Sequence, residues 1–142
     1  MANISIKIIS DNICPFCYLG KKRLEKAIDL YKKTAPGGAD DKFTVTWHPF
    51  YLDPTLPAVG RPIEEIMVRK FGSLERVRAN HERLAAVGRQ EGINFTFQGK
   101  AGNTRDSHRL VQLARTKGGA EAQDRVISSL FRAYFEEGAD IT

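Results

Sequence analysis

The stretch Ser10–Leu24, SDNICPFCYLGKKRL, decides the fold. It holds both cysteines of the chain, Cys14 and Cys17, three positions apart. Upstream, Ile4, Ile6 and Ile8 alternate with Ser5 and Lys7, which is the period of a strand with one buried face. Ile9 extends the run toward burial on both faces, and Ser10-Asp11-Asn12 ends it with turn-forming residues. From Pro15 the period changes to that of a helix. Leu24, Ala27, Ile28 and Tyr31 share one face, while Lys21, Lys22, Glu25, Lys26 and Asp29 take the other. Proline suits the first helical position because no N–H is needed there. Cys14 is therefore expected at the N-cap and Cys17 in the first turn, with the helix stopping before Ala35-Pro36-Gly37-Gly38.

A second strand follows, in which Phe43, Val45 and Trp47 alternate with Thr44, Thr46 and His48. Strand, helix, strand makes a right-handed crossover, which implies parallel pairing. The functional site of such a unit lies beyond the carboxyl ends of its strands, where Cys14 falls. A Pro-rich connection, Pro49 to Pro62, leads to two short amphipathic helices, marked by Ile63, Ile66, Met67 and Phe71 and then by Leu74, Val77, Leu84 and Val87 up to Gly92. Ile93–Phe97 alternates like a short strand or an extended loop over the core. Asn103 or Thr104 is positioned to cap a helix from Arg105 to Lys117, closed by Gly118-Gly119. Val126, Ile127, Leu130, Phe131, Tyr134 and Phe135 stripe a last helix, ended by Gly138.

The 142 residues suffice for one domain with its own core. A 42% hydrophobic and 27% charged composition is that of a globular protein. The net charge of +5 comes from charges of both signs interleaved along the chain, which argues for a solvated surface and against a nucleic-acid partner. The opening residues MANISIKIISDN lack the basic and apolar blocks of a signal peptide, and no apolar run approaches membrane-spanning length. The expectation is a cytoplasmic protein without a membrane partner. In that compartment a close cysteine pair points to catalysis or metal rather than to a structural disulfide.

The thiolate is the reactive form of cysteine, and a free thiol has a pKa of about 8.5. Unpaired N–H groups and the macrodipole at a helix N-terminus stabilise the anion, bringing such cysteines to roughly 3.5–7.5. Cys14 is therefore the expected nucleophile. Cys17, one turn further in, is expected to be less exposed and to resolve the mixed disulfide. Lys21, Lys22 and Arg23 are expected to point largely to solvent, where their charge is screened.

Two alternatives compete. A zinc site needs a tetrahedral ligand set, but the remaining candidates, His48, His81 and His108, are far apart in sequence, so no metal is expected. Two inert buried thiols are the other alternative. A c-type haem motif would need histidine immediately after the second cysteine, where Tyr18 stands. Elsewhere, His108 reads as a surface or core-edge histidine, Glu136-Glu137 as a solvated helix end, and Asn103 as a cap.

SDNICPFCYLGKKRLEKAI resembles the opening of the DsbA-like thioredoxin-fold proteins, specifically the FrnE-like subgroup. The resemblance continues through WHPFYLDP (Trp47–Pro54), AGNTRDSHRL (Ala101–Leu110) and LFRAYFEEGADI (Leu130–Ile141). It implies an α/β thioredoxin-like fold with an all-helical insertion: residues 1–61 as its N-terminal β-α-β half and 62–142 as the insertion. It also implies thiol–disulfide oxidoreductase activity, with Cys14 and Cys17 as the catalytic pair and Pro15 and Phe16 shaping the turn. The partner would be a thiol or disulfide, either protein or glutathione. No bound cofactor is implied, and glutathione is a candidate co-substrate. Glutathione-dependent relatives, isomerases of the 2-hydroxychromene-2-carboxylate type and kappa-class transferases, commonly carry serine where this chain has Cys14, which favours the oxidoreductase. From their substrate groove the resemblance carries over Phe50, Asn103 and His108.

One departure stands out. The family resumes the thioredoxin fold after the helices, with further strands, a closing helix and a cis-proline loop facing the cysteines. In this sequence the last proline is Pro62. The resemblance therefore implies that the C-terminal strands and closing helix are missing, as in a fragment or shortened form. Two parallel strands alone leave an open edge, which is expected to invite self-association. Two further functional readings stay open: a glutathione-dependent isomerase or transferase acting on a small aromatic electrophile, and a non-catalytic binding module.

Overall fold

A computed structural model describes residues 1–142. Strand β1 (Asn3–Ser10) leads into helix α1 (Pro15–Thr34), a 3-10 turn (Gly38–Asp40) and strand β2 (Lys42–Pro49). The two strands pair in parallel, with Ile4, Ile6 and Ile8 opposite Phe43, Val45 and Trp47. The alternation that marked both strands thus becomes one apolar face, and Ile8, Val45 and Trp47 join the core. α1 ends at Thr34, one residue before Ala35-Pro36, since a residue preceding proline disfavours the helical region.

Short strand β3 (Arg61–Pro62) opens helix α2 (Ile63–Phe71), and helix α3 (Leu74–Gln90) follows across Gly72, whose φ of 86° turns the chain. Ser73 caps α3 by accepting the Arg76 N–H. Strand β4 (Lys100–Ala101) pairs antiparallel with β3. The alternating Ile93–Phe97 forms no strand. Ile93 and Phe95 are buried against α3 and α4, and Gly88 is what admits them, because a Cβ there would lie 2.5 Å from the Phe95 ring.

Helix α4 (Arg105–Phe135) is two helices joined at Gly118-Gly119, where the backbone leaves helical geometry and Gly119 takes φ 71°. The break falls where the glycines placed it. It also lets residues from both halves reach β2. Gln123, fully buried, accepts the Trp47 N–H through Oε1 at 2.8 Å and donates Nε2 to the Trp47 carbonyl at 3.0 Å. Gln112 donates to the same carbonyl at 2.9 Å. Side-chain amides thereby satisfy the outer edge of β2 at Trp47 as a neighbouring strand would, whereas β1 pairs with β2 alone.

One core of thirteen buried apolar residues draws on both sides of the 61/62 boundary. Its centre is aromatic: the Tyr18 ring stacks on Phe131 at 5.0 Å and Phe135 at 5.8 Å, and Phe95 meets Phe135 edge-on at 5.3 Å. Lys21 departs from expectation. It lies 4% exposed between Glu25 and Asp124, because α4 covers the face of α1 that the sequence pattern leaves to solvent. No helix is long and apolar enough to cross a membrane.

Candidate active site

β1 ends at Ser10, the chain turns through Asp11, Asn12 and Ile13, and α1 opens at Pro15 with Cys14 as N-cap in extended conformation. The Cys14 N–H donates to the Asp11 carbonyl at 3.2 Å. The Cys14 carbonyl accepts the N–H groups of Cys17 at 3.1 Å and Tyr18 at 3.4 Å, which closes the first helical turn. Both thiols are free and half-buried, so the expected difference in exposure between them is absent.

The direction of their interaction distinguishes them. The Cys17 thiol facing the Cys14 sulfur stabilises the Cys14 anion. Burial works against it, and the N–H groups of Cys17 and Phe16 add to the stabilisation, so Cys14 is lowered from 9.0 to about 6. These N–H groups favour the anion without closing a formal side-chain cap hydrogen bond. The same thiol contact, reinforced by burial, drives Cys17 far upward. Lys21 contributes little to the thiolate, since its ammonium is taken by Glu25 and Asp124.

Asp11 lies behind the pair at 2% exposure. Burial opposes its charge, but His108, the Leu52 N–H and Thr104 outweigh that and hold its carboxyl below the usual range. Oδ1 accepts the Asn12 N–H at 2.8 Å and faces His108 Nε2 at 3.1 Å, while Oδ2 accepts the Leu52 N–H at 2.9 Å. His108 Nε2 also faces the Phe50 carbonyl at 3.0 Å. Asn12, fully buried, donates to Ser107 Oγ at 2.8 Å. The start of α4 is in this way bound to the turn that carries Cys14 and to the 50–52 loop. The negative charge of Asp11 raises both thiols and the Tyr134 phenol, the latter after the larger effect of burial.

A cavity of about 970 Å³ opens at Cys14, Pro15 and Phe16, with Leu52, Ile63, Met67, Leu84 and Tyr134 among its walls. Phe16 is 64% exposed beside it. Phe50, Asn103 and His108 do not line this cavity. Phe50 is 52% exposed on the neighbouring loop. Asn103, one residue before the N-cap Thr104, accepts the Arg105 N–H at 3.0 Å, and its amide donates to the Pro54 carbonyl at 3.2 Å. His108 is buried rather than at the surface, and with Tyr51 it borders a separate surface hollow. The sequence reading missed Asp11, which it took as a turn residue; the one signal was an acid three positions before Cys14 in a turn that had to be buried. Tyr134, on the apolar stripe of the last helix, is core as that stripe implied, and it also walls this cavity.

A parallel β-α-β unit with a cysteine pair at the helix start, continued by helices that pack on its second strand, is a thioredoxin-like α/β fold. Residues 5–142 match the DSBA-like thioredoxin domain, and the chain belongs to that family. Its structure is similar to the crystal structure of a probable DsbA oxidoreductase from Streptomyces coelicolor, with a TM-score of 0.80 and 28% sequence identity. The match covers 97% of this chain and 56% of that one, so the chain spans a little over half the length of that relative. Comparison with curated proteins gives no match.

Proposed function

We propose that this chain performs thiol–disulfide exchange through Cys14 and Cys17. The observation that carries the reading is a Cys14 thiol lowered to about 6 at the N-cap of α1, beside a second thiol pushed the opposite way. At neutral pH, Cys14 attacks one sulfur of a substrate disulfide; a Cys14–substrate bond forms and the other substrate thiolate leaves and takes up a proton. Cys17 then loses its proton and attacks the Cys14 sulfur. The Cys14–Cys17 disulfide forms, the second substrate thiolate leaves, and two electrons have passed to the substrate. Run backward, the same steps oxidise a dithiol.

Pro15 sets the turn, and the exposed Phe16 and Phe50 offer apolar contacts to the substrate. Asn103 and His108 act through the loops they hold. Glutathione is the candidate co-substrate thiol, with no resident cofactor. The finer placement in the FrnE-like subgroup rests on the SDNICPFCYLGKKRLEKAI, WHPFYLDP, AGNTRDSHRL and LFRAYFEEGADI segments in that order.

Iodoacetamide labelling across pH tests the reading. The expected result is a Cys14 alkylation midpoint near 6 and formation of the Cys14–Cys17 disulfide in a glutathione redox buffer. A midpoint near that of a free thiol, with no disulfide formed, would overturn it.

A further inference from the structure

The cavity that opens at Cys14 is also lined by His81 and Phe97, on α3 and on the segment after it. Three features of that region are unexplained by exchange chemistry at the cysteines. First, Phe97 is the only non-glycine residue with positive φ, at 53°. A bulky residue in this region is strained, and such strain gathers at functional sites. The strained backbone lays the Phe97 ring flat on the His81 imidazole, 4.1 Å away and 6° from parallel. Second, His81 Nε2 is buried without a hydrogen-bond partner in the protein. Burial also lowers the imidazole pKa, which favours the neutral ring and leaves that polar atom unsatisfied. Third, Arg69, Lys70 and Arg83 line the same cavity, and none of them pairs with a carboxylate, whereas Arg61 is taken by Glu65. The lining acids are engaged as well, Glu65 by Arg61 and Asp53 by Thr55.

The volume, about 970 Å³, is that of a site for a small organic molecule. We propose that the cavity selects a low-molecular-weight disulfide whose sulfur meets Cys14 while a planar, apolar body carrying an anionic group reaches the His81–Phe97 pair and the unpaired cations of α2 and α3. The proposal rests on the exchange reading. It adds the class of substrate: small aromatic anions rather than cationic or aliphatic disulfides. Exchange with such a molecule balances as above, its single S–S bond becoming two thiols as Cys14 and Cys17 become a disulfide.

The test is single-turnover oxidation of the fully reduced chain by three probes: 5,5′-dithiobis(2-nitrobenzoate), an aromatic dianion; 2,2′-dithiodipyridine, aromatic and neutral; and cystamine, aliphatic and cationic. Each rate is divided by that of the same probe with glutathione. The expected order is the aromatic anion first and cystamine last. The preference for the anion over cystamine should shrink about tenfold in Arg69→Gln/Lys70→Gln, the loss of a charge-assisted contact or two. Both residues are exposed, so the variant does not threaten the fold. In a second measurement, 4-nitrobenzoate, which has no sulfur, should slow alkylation of Cys14 in the parent chain and protect less in His81→Leu. If the normalised rates are equal and nitrobenzoate gives no protection, the cavity proposal falls while exchange at Cys14 stands. If Cys14→Ser consumes the probes as fast as the parent, the exchange reading itself falls.

Discussion

The Asp11 carboxylate and the His108 imidazole lie 3.1 Å apart across a separation of 97 residues, both almost fully buried. His108 Nε2 faces two acceptors, Asp11 Oδ1 and the Phe50 carbonyl, so that nitrogen must carry a hydrogen. The contact binds α4 to the active-site turn and places a fixed negative charge behind both thiols. That charge raises Cys14, against the stronger effect of Cys17 and the helix N–H groups. Asp11→Asn is therefore expected to move the Cys14 alkylation midpoint below the value near 6 expected for the parent chain. It should also destabilise the fold by about 1–3 kcal/mol, because the amide presents an N–H where only acceptance is wanted. Alkylation kinetics and urea unfolding of the same variant separate the two effects. A folded variant with an unmoved midpoint would mean that the thiolate does not feel the buried charge.

Stability of the reduced chain should depend on pH through Cys14. Its folded pKa is about 6 and its ordinary value is 9.0, so between these the unfolded state binds more protons. Stability then rises with pH across that window, by up to about 1.4 kcal/mol per unit, and is lost as pH falls toward 6. Cys17 does not blur the window. Its folded pKa is raised, so its contribution is constant below the ordinary thiol value and declines only above it. Urea titrations at several pH values between about 7.5 and 9 under reductant, above the range in which the buried His81 imidazole adds a slope of the same sign, check the slope, which Cys14→Ala should lack.

Cys17→Ala removes the largest influence holding Cys14 low. The Cys14 midpoint should climb toward the free-thiol value, and reaction with a disulfide should stop at the mixed species, which mass spectrometry of the unreduced protein would detect. If the midpoint stayed near 6, the helix N–H groups alone would account for the depressed thiol.

The elements around the cysteines were legible because they depend on neighbours in sequence. The alternation of Ile4, Ile6 and Ile8, proline after Cys14, and Ala35-Pro36 bounding α1 each act within one turn or a few residues. The break at Gly118-Gly119 was legible for the same reason. Contacts between distant residues were not. Lys21 is buried by Asp124, Gln123 closes Trp47, and His108 finds Asp11, each partnership decided by how α4 settles on the β-α-β unit. Ile93–Phe97 takes the second of its two readings, an extended loop over the core: Ile93 and Phe95 are buried and Asn94 and Thr96 exposed, but no strand lies alongside, and the ladder forms instead between Arg61-Pro62 and Lys100-Ala101.

The amide clasp at Trp47 yields the sharpest stability prediction. Gln123→Leu keeps the volume but leaves the Trp47 N–H buried without an acceptor, and the carbonyl retains only Gln112. The expected loss is about 2–4 kcal/mol. Gln112→Leu should cost about 1 kcal/mol, since Gln123 still satisfies both groups. The double variant should lose more than the sum, because only then is the carbonyl left bare. Unfolding of the two single variants and the double variant measures this coupling. Additive losses would mean that water reaches the outer edge of β2 and that α4 does not seal it.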